Sequence, residues 1–564
     1  MNAQTKLPVA QMRVDDLRTS VGERRTVVSD PARADAPRPK VAAARMVTSR
    51  RLVFNTFFNV VTAVSNALVA FLVVRVFLVH LGEARYGIWV LVGSVFRYRY
   101  VLSLGLSSAV NRYIPLYVAQ GDEEGIARVI NTGLLFFSCL AAILTAGTAV
   151  IYLKMGDWFA LDADLVPTAA LVVLIVGFGS AIGAPLQLGS AALSGLQRYD
   201  ISGVISLIAL IARTTVAIVL LQRGFGLLML GFVFSVSEVV SQLTECCIAK
   251  RLLQNVTFSF RKVDLSLLGH MLGYGINTFL YMTSALIIYK ASNLVIGVFL
   301  GAADVSRFDV ACTGVVLMMQ FLYALTAAIK PAVSDLDARD DRQRVKEIAF
   351  LTQKYSLLFL IPASCFLIVM GREFLTVWVG DRFGDPAVIA SLAQVLAIMA
   401  VAYCLRLAQH SNFLVLVGRG QHRVFGVLTA AMAVLCVCGS VFAVRVLDAG
   451  LVGIAYANLV PMAIVCGLVL PLYFNRKMQM SVSESVVRVW HPAILGALPG
   501  VVVITLWKLV APPDSWVGIL AVVAVVAAAA VVFGWLFGLE PIERERVIRA
   551  LGRRGGSLAS RAAI

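Results

Sequence analysis

Charge is what this chain has least of. Asp, Glu, Lys and Arg make up only 14% of its 564 residues, against about 25% in an ordinary soluble protein. Paired cysteines are equally hard to find. The nine cysteines (Cys139, Cys246, Cys247, Cys312, Cys365, Cys404, Cys436, Cys438 and Cys466) all fall inside apolar runs, with no CxxC and no Cys/His ligand spacing. That pattern argues against a disulfide framework or a zinc site and leaves them as small apolar packing residues. Long polar stretches between the apolar runs are missing too. The longest connection on one side is GREFLTVWVGDRFGDP (371–386), which leaves no room for a soluble catalytic domain. No nucleophile–base pair, metal-ligand spacing or phosphate-cradling glycine loop is present. The expectation is therefore a protein that is not an enzyme and needs no cofactor or metal.

What is abundant is hydrocarbon. Hydrophobic residues account for 59% of the chain, and the mean hydropathy is +0.86. Crossing a bilayer takes roughly 20 mostly apolar residues. By that measure spans lie near 52–79, 86–118, 127–153, 165–194, 201–221, 227–248, 268–300, 305–329, 348–370, 387–417, 424–444, 451–474, 491–509 and 517–538. The expected fold is an all-α integral membrane protein of about 14 transmembrane helices. Lys and Arg crowd the odd-numbered side of this layout, so the positive-inside rule puts both termini in the cytoplasm. The net charge of +17 then reads as topology, and nucleic acid is not an expected partner. Residues 1–50, rich in Ala, Pro and Arg, read as a disordered basic cytoplasmic tail suited to anionic membrane lipids, with no signal peptide before the first apolar run. Residues 539–564 read as a second basic tail.

The chain also echoes itself. FLVHLGEARYGI pairs with IGVFLGAADVSRFDV, RYIPLYVAQGDEE with AIKPAVSDLDARDD, LQRYDISGV with GQHRVFGV, and GFGLLMLGF with DAGLVGIAY. The anchors Gly82/Gly301, Pro115/Pro331, Gln197/Gln421 and Gly226/Gly450 are offset by 216 to 224 residues. Four matches in order predict two six-helix lobes, 52–250 and 268–474, related as a parallel repeat, with two additional helices at 491–538.

The stretches LGEARYGIWVLVGS…LSLGLSSAVNRYIPLYVAQGD, LSGLQRYD and GFGLLMLGF resemble the Wzx-type polysaccharide flippases of the multidrug/oligosaccharidyl-lipid/polysaccharide (MOP) exporter superfamily. The resemblance covers about residues 50–475. It implies two lobes around a central cavity in a bacterial inner membrane. It further implies a polyprenyl-pyrophosphate-linked glycan as substrate, moved from the cytoplasmic to the periplasmic leaflet for polysaccharide biosynthesis. A proton or sodium ion for coupling and polysaccharide polymerase machinery as partner accompany that reading. SVFRYRYV (94–101) departs from the family pattern in being more charged.

Polar residues inside the spans are the candidate site, because ionisable groups in a membrane are costly and face cavities or partners. At 100° per residue, Ser94, Arg97, Ser108 and Arg112 share one face of the second span, with Arg99 opposite. Arg97 is the better cavity residue, and Arg99 the better candidate for pairing or snorkelling. Asn55, Asn59, Thr62 and Asn66 form a stripe on the first span that suits a sugar path or interhelical bonding. Arg406, Gln409 and His410 share a face of the tenth, and Lys290 is a deep cation on the seventh. Glu238 is a deep acid at the same depth as Arg213 across the 222–226 turn, so the two form either a structural pair or an ion-coupling site. Glu245 reads as solvated near the inner rim. Cations outnumber acids, which suits a pyrophosphate passing through, with Arg97 and Arg406 the expected head-group contacts and Lys290 behind them. Structural salt bridges are the rival explanation. A drug or metabolite exporter of the same superfamily is the alternative function, though cationic drugs would call for an acidic cavity. Gly179 and Gly183 are spaced for close helix approach, and Pro185, Pro362 and Pro461 lie inside spans.

Overall fold

A computed structural model describes residues 65–66, 68–253, 262–327, 329–383, 385–421, 423–539 and 543–545, all within one compact unit that runs from Ala44 to Ile564. Helix is the only regular secondary structure among the described residues. The helices are α1 (Leu68–Leu81), α2 (Glu83–Gln120), α3 (Glu123–Trp158), α4 (Val166–Gly195), α5 (Tyr199–Gln222), α6 (Leu227–Leu252), α7 (Leu265–Phe299), α8 (Ala302–Thr326) and α9 (Ile329–Ala338). There follow α10 (Arg342–Val369), α11 (Gly371–Phe383), α12 (Pro386–Ala408), α13 (His410–Gly418), α14 (Arg423–Arg445), α15 (Gly450–Ile464), α16 (Leu470–Lys477), α17 (His491–Val510) and α18 (Trp516–Phe533).

Their ends follow from local chemistry. Asp122, Asp264 and Asp341 each accept a backbone N–H three residues on, satisfying a donor that a helix start leaves orphaned. Gly82 and Gly301, the first anchors of the internal echo, begin α2 and α8 with φ 78°, ψ 170° and φ 112°, ψ 176°. That region of backbone space is essentially reserved for glycine, so two positions 219 residues apart share one unusual conformation.

Twelve segments among the described residues are long and apolar enough to span a bilayer. Two expected spans fall outside that set for different reasons. The first is described only from Ser65 onward, with α1 beginning at Leu68. The second is the 38-residue α2, which is long enough but carries Arg85, Arg97, Arg99 and Arg112. Other expectations need correcting. The tenth span is not one helix but α12 and α13, which meet at Gln409. The acidic stretch 334–341, whose composition between two apolar spans suits a solvated loop, is largely α9, tied down by an ion pair from Asp337 to Arg419 at 3.0 Å. The connection before α17 is also helical from Val482, with a π-turn at Val486–Trp490.

Packing differs between the two ends of the bundle. The first half of α2 shares one continuous core with α1, the adjoining ends of α3–α6, α7, α8 and α10–α15, in which Trp378 and Phe77 are among the largest enclosed side chains. The second half of α2 joins α3, α4 and the end of α6 in a separate core around Leu106, Ile114, Phe137 and Leu188. Gly179, Gly183 and Gly189 let α4 lie directly on Ser235, Gln242 and Cys246 of α6, the close approach their spacing predicts. The last two helices pack on the end of α10 through Met370, Ile504 and Val522.

Candidate functional site

Three polar groups sit within the apolar helices, each built differently. The first joins α2, α5 and α6. Arg97 and Arg99 are two positions apart, so the helix points them to nearly opposite sides. Arg99 is buried and ion-paired with Glu238. Its Nη2 also donates to the Tyr100 hydroxyl at 2.7 Å, which donates to Glu238 Oε1 at 2.9 Å. Gln242 Nε2 donates to the same carboxylate oxygen at 3.2 Å.

Arg97, by contrast, is exposed, and Arg213 is half-buried. Neither forms an ion pair among the described residues. Arg213 lies 5.4 Å from the Phe234 ring centre, and its Nε lacks a hydrogen-bond partner. The expected Arg213–Glu238 pairing is thus replaced by Arg99–Glu238. Equal depth across a turn did not suffice, because α2 brings a third helix against Glu238. The group holds three guanidiniums and one carboxylate, and that carboxylate is already engaged. Glu245, expected to be solvated, is buried on the same helix.

The second group stitches α2 to α7 and α8. Lys290 is buried, 3.5 Å from Asp309 and 4.6 Å from the Tyr289 ring centre. Asp309 accepts from the Tyr86 hydroxyl at 3.0 Å and from Asn293 Nδ2 at 3.5 Å. Asn293 Nδ2 also reaches Ser94 Oγ at 3.3 Å. Nearer the start of α2, Arg307 binds Glu83 at 2.9 Å and Asp304 at 3.2 Å. Gly87 lies so close to Ala302 that a Cβ there would overlap the Ala302 carbonyl. Lys290 is therefore a paired cation in a sealed seam.

The third group surrounds Arg406. Tyr281, Tyr323, Gln409, His410, Phe425, Thr429, Met432 and Cys466 line a cavity of about 20 Å³ with it. The α12–α13 junction at Gln409 puts Gln409 and His410 on this cavity, and a π-turn at Val465–Val469 accompanies Cys466. Such turns recur at functional positions. The Arg406, Gln409 and His410 face read from the sequence is thus brought together around one space.

Arg112 is exposed near the end of α2, and Asn66 is half-buried. Asn55, Asn59 and Thr62 lie outside the described residues. Sequence reasoning missed Asp309, although a signal existed. Lys290 and Asp309 flank the Gly301 turn at similar distances, the same arithmetic that singled out Arg213 and Glu238. It also missed Lys354, fully buried on α10 and 2.7 Å from Glu543, whose partner comes from far along the chain.

Comparison with known proteins supplies context. Residues 127–388 match the family described as polysaccharide biosynthesis protein. The uncharacterized membrane protein EpsK of Bacillus subtilis (strain 168) is 21% identical over 494 residues, covering 85% of this chain and 94% of EpsK. Among solved structures, the lipid II flippase MurJ in an inward closed conformation aligns over 87% of this chain and 99% of its own, at TM-score 0.64 and 14% identity. An inward-facing multidrug resistance transporter of the MATE family, within the MOP superfamily, aligns over 74% and 94%, at TM-score 0.59 and 16% identity. A MOP-superfamily transporter from Pyrococcus furiosus aligns over 79% and 99%, at TM-score 0.57 and 16% identity. The chain is a multi-pass membrane protein with the MATE/MurJ fold, as the resemblance in its sequence implies.

Proposed function

We propose that the protein is a MOP-superfamily transporter that flips a polyprenyl-pyrophosphate-linked oligosaccharide from the cytoplasmic to the periplasmic leaflet of a bacterial inner membrane, by alternating access between two six-helix lobes. The observation that carries this reading is the uncompensated charge of Arg97 and Arg213. A guanidinium within a membrane protein needs water or an anionic partner, and pyrophosphate oxygens suit its planar fork of donors. Glu238 cannot neutralise them while it is held by Arg99, Tyr100 and Gln242. The match of residues 127–388 to a family described as polysaccharide biosynthesis protein supports a substrate drawn from polysaccharide assembly.

Each group then has a task. Arg97 and Arg213 meet the head group, with Arg112 at the inner approach, where the α2–α4 core stands apart from the rest. The sealed Tyr86–Asp309–Lys290 seam closes the outer side in this state. Glu238 is the acid a coupling proton would reach, and protonating it would release Arg99. Asn55, Asn59 and Asn66 line the sugar path.

The test is a deletion strain in which lipid-linked sugars are extracted and assigned to leaflets. Complete units accumulating on the cytoplasmic side, cleared by wild-type protein but not by Arg97→Ala at equal abundance, are the expected result. Unchanged lipid-linked sugars in the deletion strain would remove the glycan from the proposal and favour a small-molecule exporter.

A further inference from the structure

The Arg406 cavity is not explained by head-group binding. At about 20 Å³ it has room for about one water-sized body, far less than a pyrophosphate. Its lining is nevertheless built around a charge. Arg406 is 9% exposed and has no ion-pair partner among the described residues, yet arginine does not shed its proton. A buried charge without a partner is costly, and the Tyr403 ring, 5.6 Å away, offsets only part of that.

The neighbours lack an anion as well. Gln409 is 2% exposed; its Oε1 accepts from Asn412 Nδ2 at 3.0 Å, and its Nε2 has no acceptor among the described residues. Tyr281 and Tyr323 contribute hydroxyls, and His410 is held against the Tyr323 ring at 4.5 Å. Beside the Arg406 guanidinium the lining thus has an unpaired amide donor, no carboxylate, and space for one small body.

We infer that this cavity is a binding site for a small inorganic monovalent anion, of halide size, which neutralises Arg406 between α7, α8, α12 and α14. The anion sits against the Arg406 guanidinium and accepts from Gln409 Nε2. It holds the α12–α13 junction in its bent form and makes the second half of the bundle dependent on anions, whatever substrate the first half carries.

The test uses the purified full-length chain and follows its melting temperature at equal ionic strength in sodium gluconate, chloride, bromide and pyrophosphate. Chloride and bromide should raise the midpoint by several degrees in a saturable way, while pyrophosphate gives no more than gluconate. Arg406→Gln should abolish the halide response, and Arg97→Ala should retain it. Should Arg406→Gln fail to fold, Gln409→Glu gives an independent reading. It places a carboxylate in the cavity, so its midpoint in gluconate should rise toward the halide value and cease to respond to halide. Bromide crystals should show anomalous density beside Arg406. A wild-type midpoint that is the same in gluconate and halide would mean that the cavity holds only water, overturning the inference. A response to pyrophosphate alone would also overturn it and return Arg406 to the head group. Because melting requires no glycan, failure here is separate from failure of the flippase reading.

Discussion

The Tyr86 hydroxyl of α2 donates to the Asp309 carboxylate of α8 at 3.0 Å, joining residues 223 positions apart in the chain. Through Asp309 it also joins Lys290 and, by way of Asn293, returns to Ser94 on α2. The two members of the first echo are therefore joined through the Asp309 carboxylate as well as through the Arg307–Glu83 pair. Asp309→Asn should leave Lys290 buried without a counter-charge, a loss of about 3–5 kcal/mol for a broken buried pair. Thermal unfolding of the purified variant measures this. Tyr86→Phe removes one hydrogen bond and should cost only about 0.5–1.5 kcal/mol. Equal losses for the two variants would refute the central role given to Asp309.

Closure of this seam depends on Gly87. A side chain there meets backbone, not a mobile side chain, so nothing nearby can move aside cheaply. Gly87→Val should insert and accumulate yet fail to seal. A cysteine placed at Ser94, fully enclosed in the closed seam, should then react with an impermeant maleimide from the outer side when the native cysteines are absent. Protection equal to that in the Gly87 parent would count against a gate at this position.

Glu238 has a distinct signature. Glu238→Gln keeps the shape but leaves the Arg99 charge without its counter-ion, so the first polar group becomes more positive. Export by this variant should fall about tenfold or more while membrane abundance stays near normal. Arg99→Ala together with Glu238→Gln should be better tolerated than Glu238→Gln alone. If the double variant exports no better, the two residues do not act as a pair.

A purely architectural pair provides the contrast. Lys354→Ala removes the buried ammonium that pairs with Glu543 and should cost about 3–5 kcal/mol. Lys354→Met with Glu543→Gln should recover most of it, because a buried pair is often matched by neutral residues of similar size. The double-mutant cycle, read by thermal unfolding, gives the coupling directly.

Much of the architecture was legible because it depends on one-dimensional quantities. Apolar length locates the spans, and Gly179 and Gly183 announce the α4–α6 contact through spacing alone. Depth in the membrane can also be counted from a turn. Which way a side chain faces in the folded bundle cannot. Arg213 and Glu238 share a depth, yet Arg99 claims Glu238 because α2 arrives from elsewhere in the chain. Asp309 escaped notice beside the more obvious Asp304–Arg307 pair, although its depth matched Lys290. Lys354 and Glu543 are 189 positions apart, and no local pattern links them. The Arg406, Gln409 and His410 face was legible at helical spacing, whereas the tyrosines that enclose it come from α7 and α8.

The seam also has an electrical consequence. A membrane voltage acts on a lone elementary charge with about 2.3 kcal/mol per 100 mV across the full field. Lys290 and Asp309 cancel each other, so moving them together through part of that field does almost no electrical work. Arg97 has no such companion among the described residues, and an inside-negative potential would pull it inward whenever the protein is empty. A bound anion cancels that pull. Voltage would then favour the return of the unloaded protein to the side where substrate waits, while leaving the loaded one nearly indifferent.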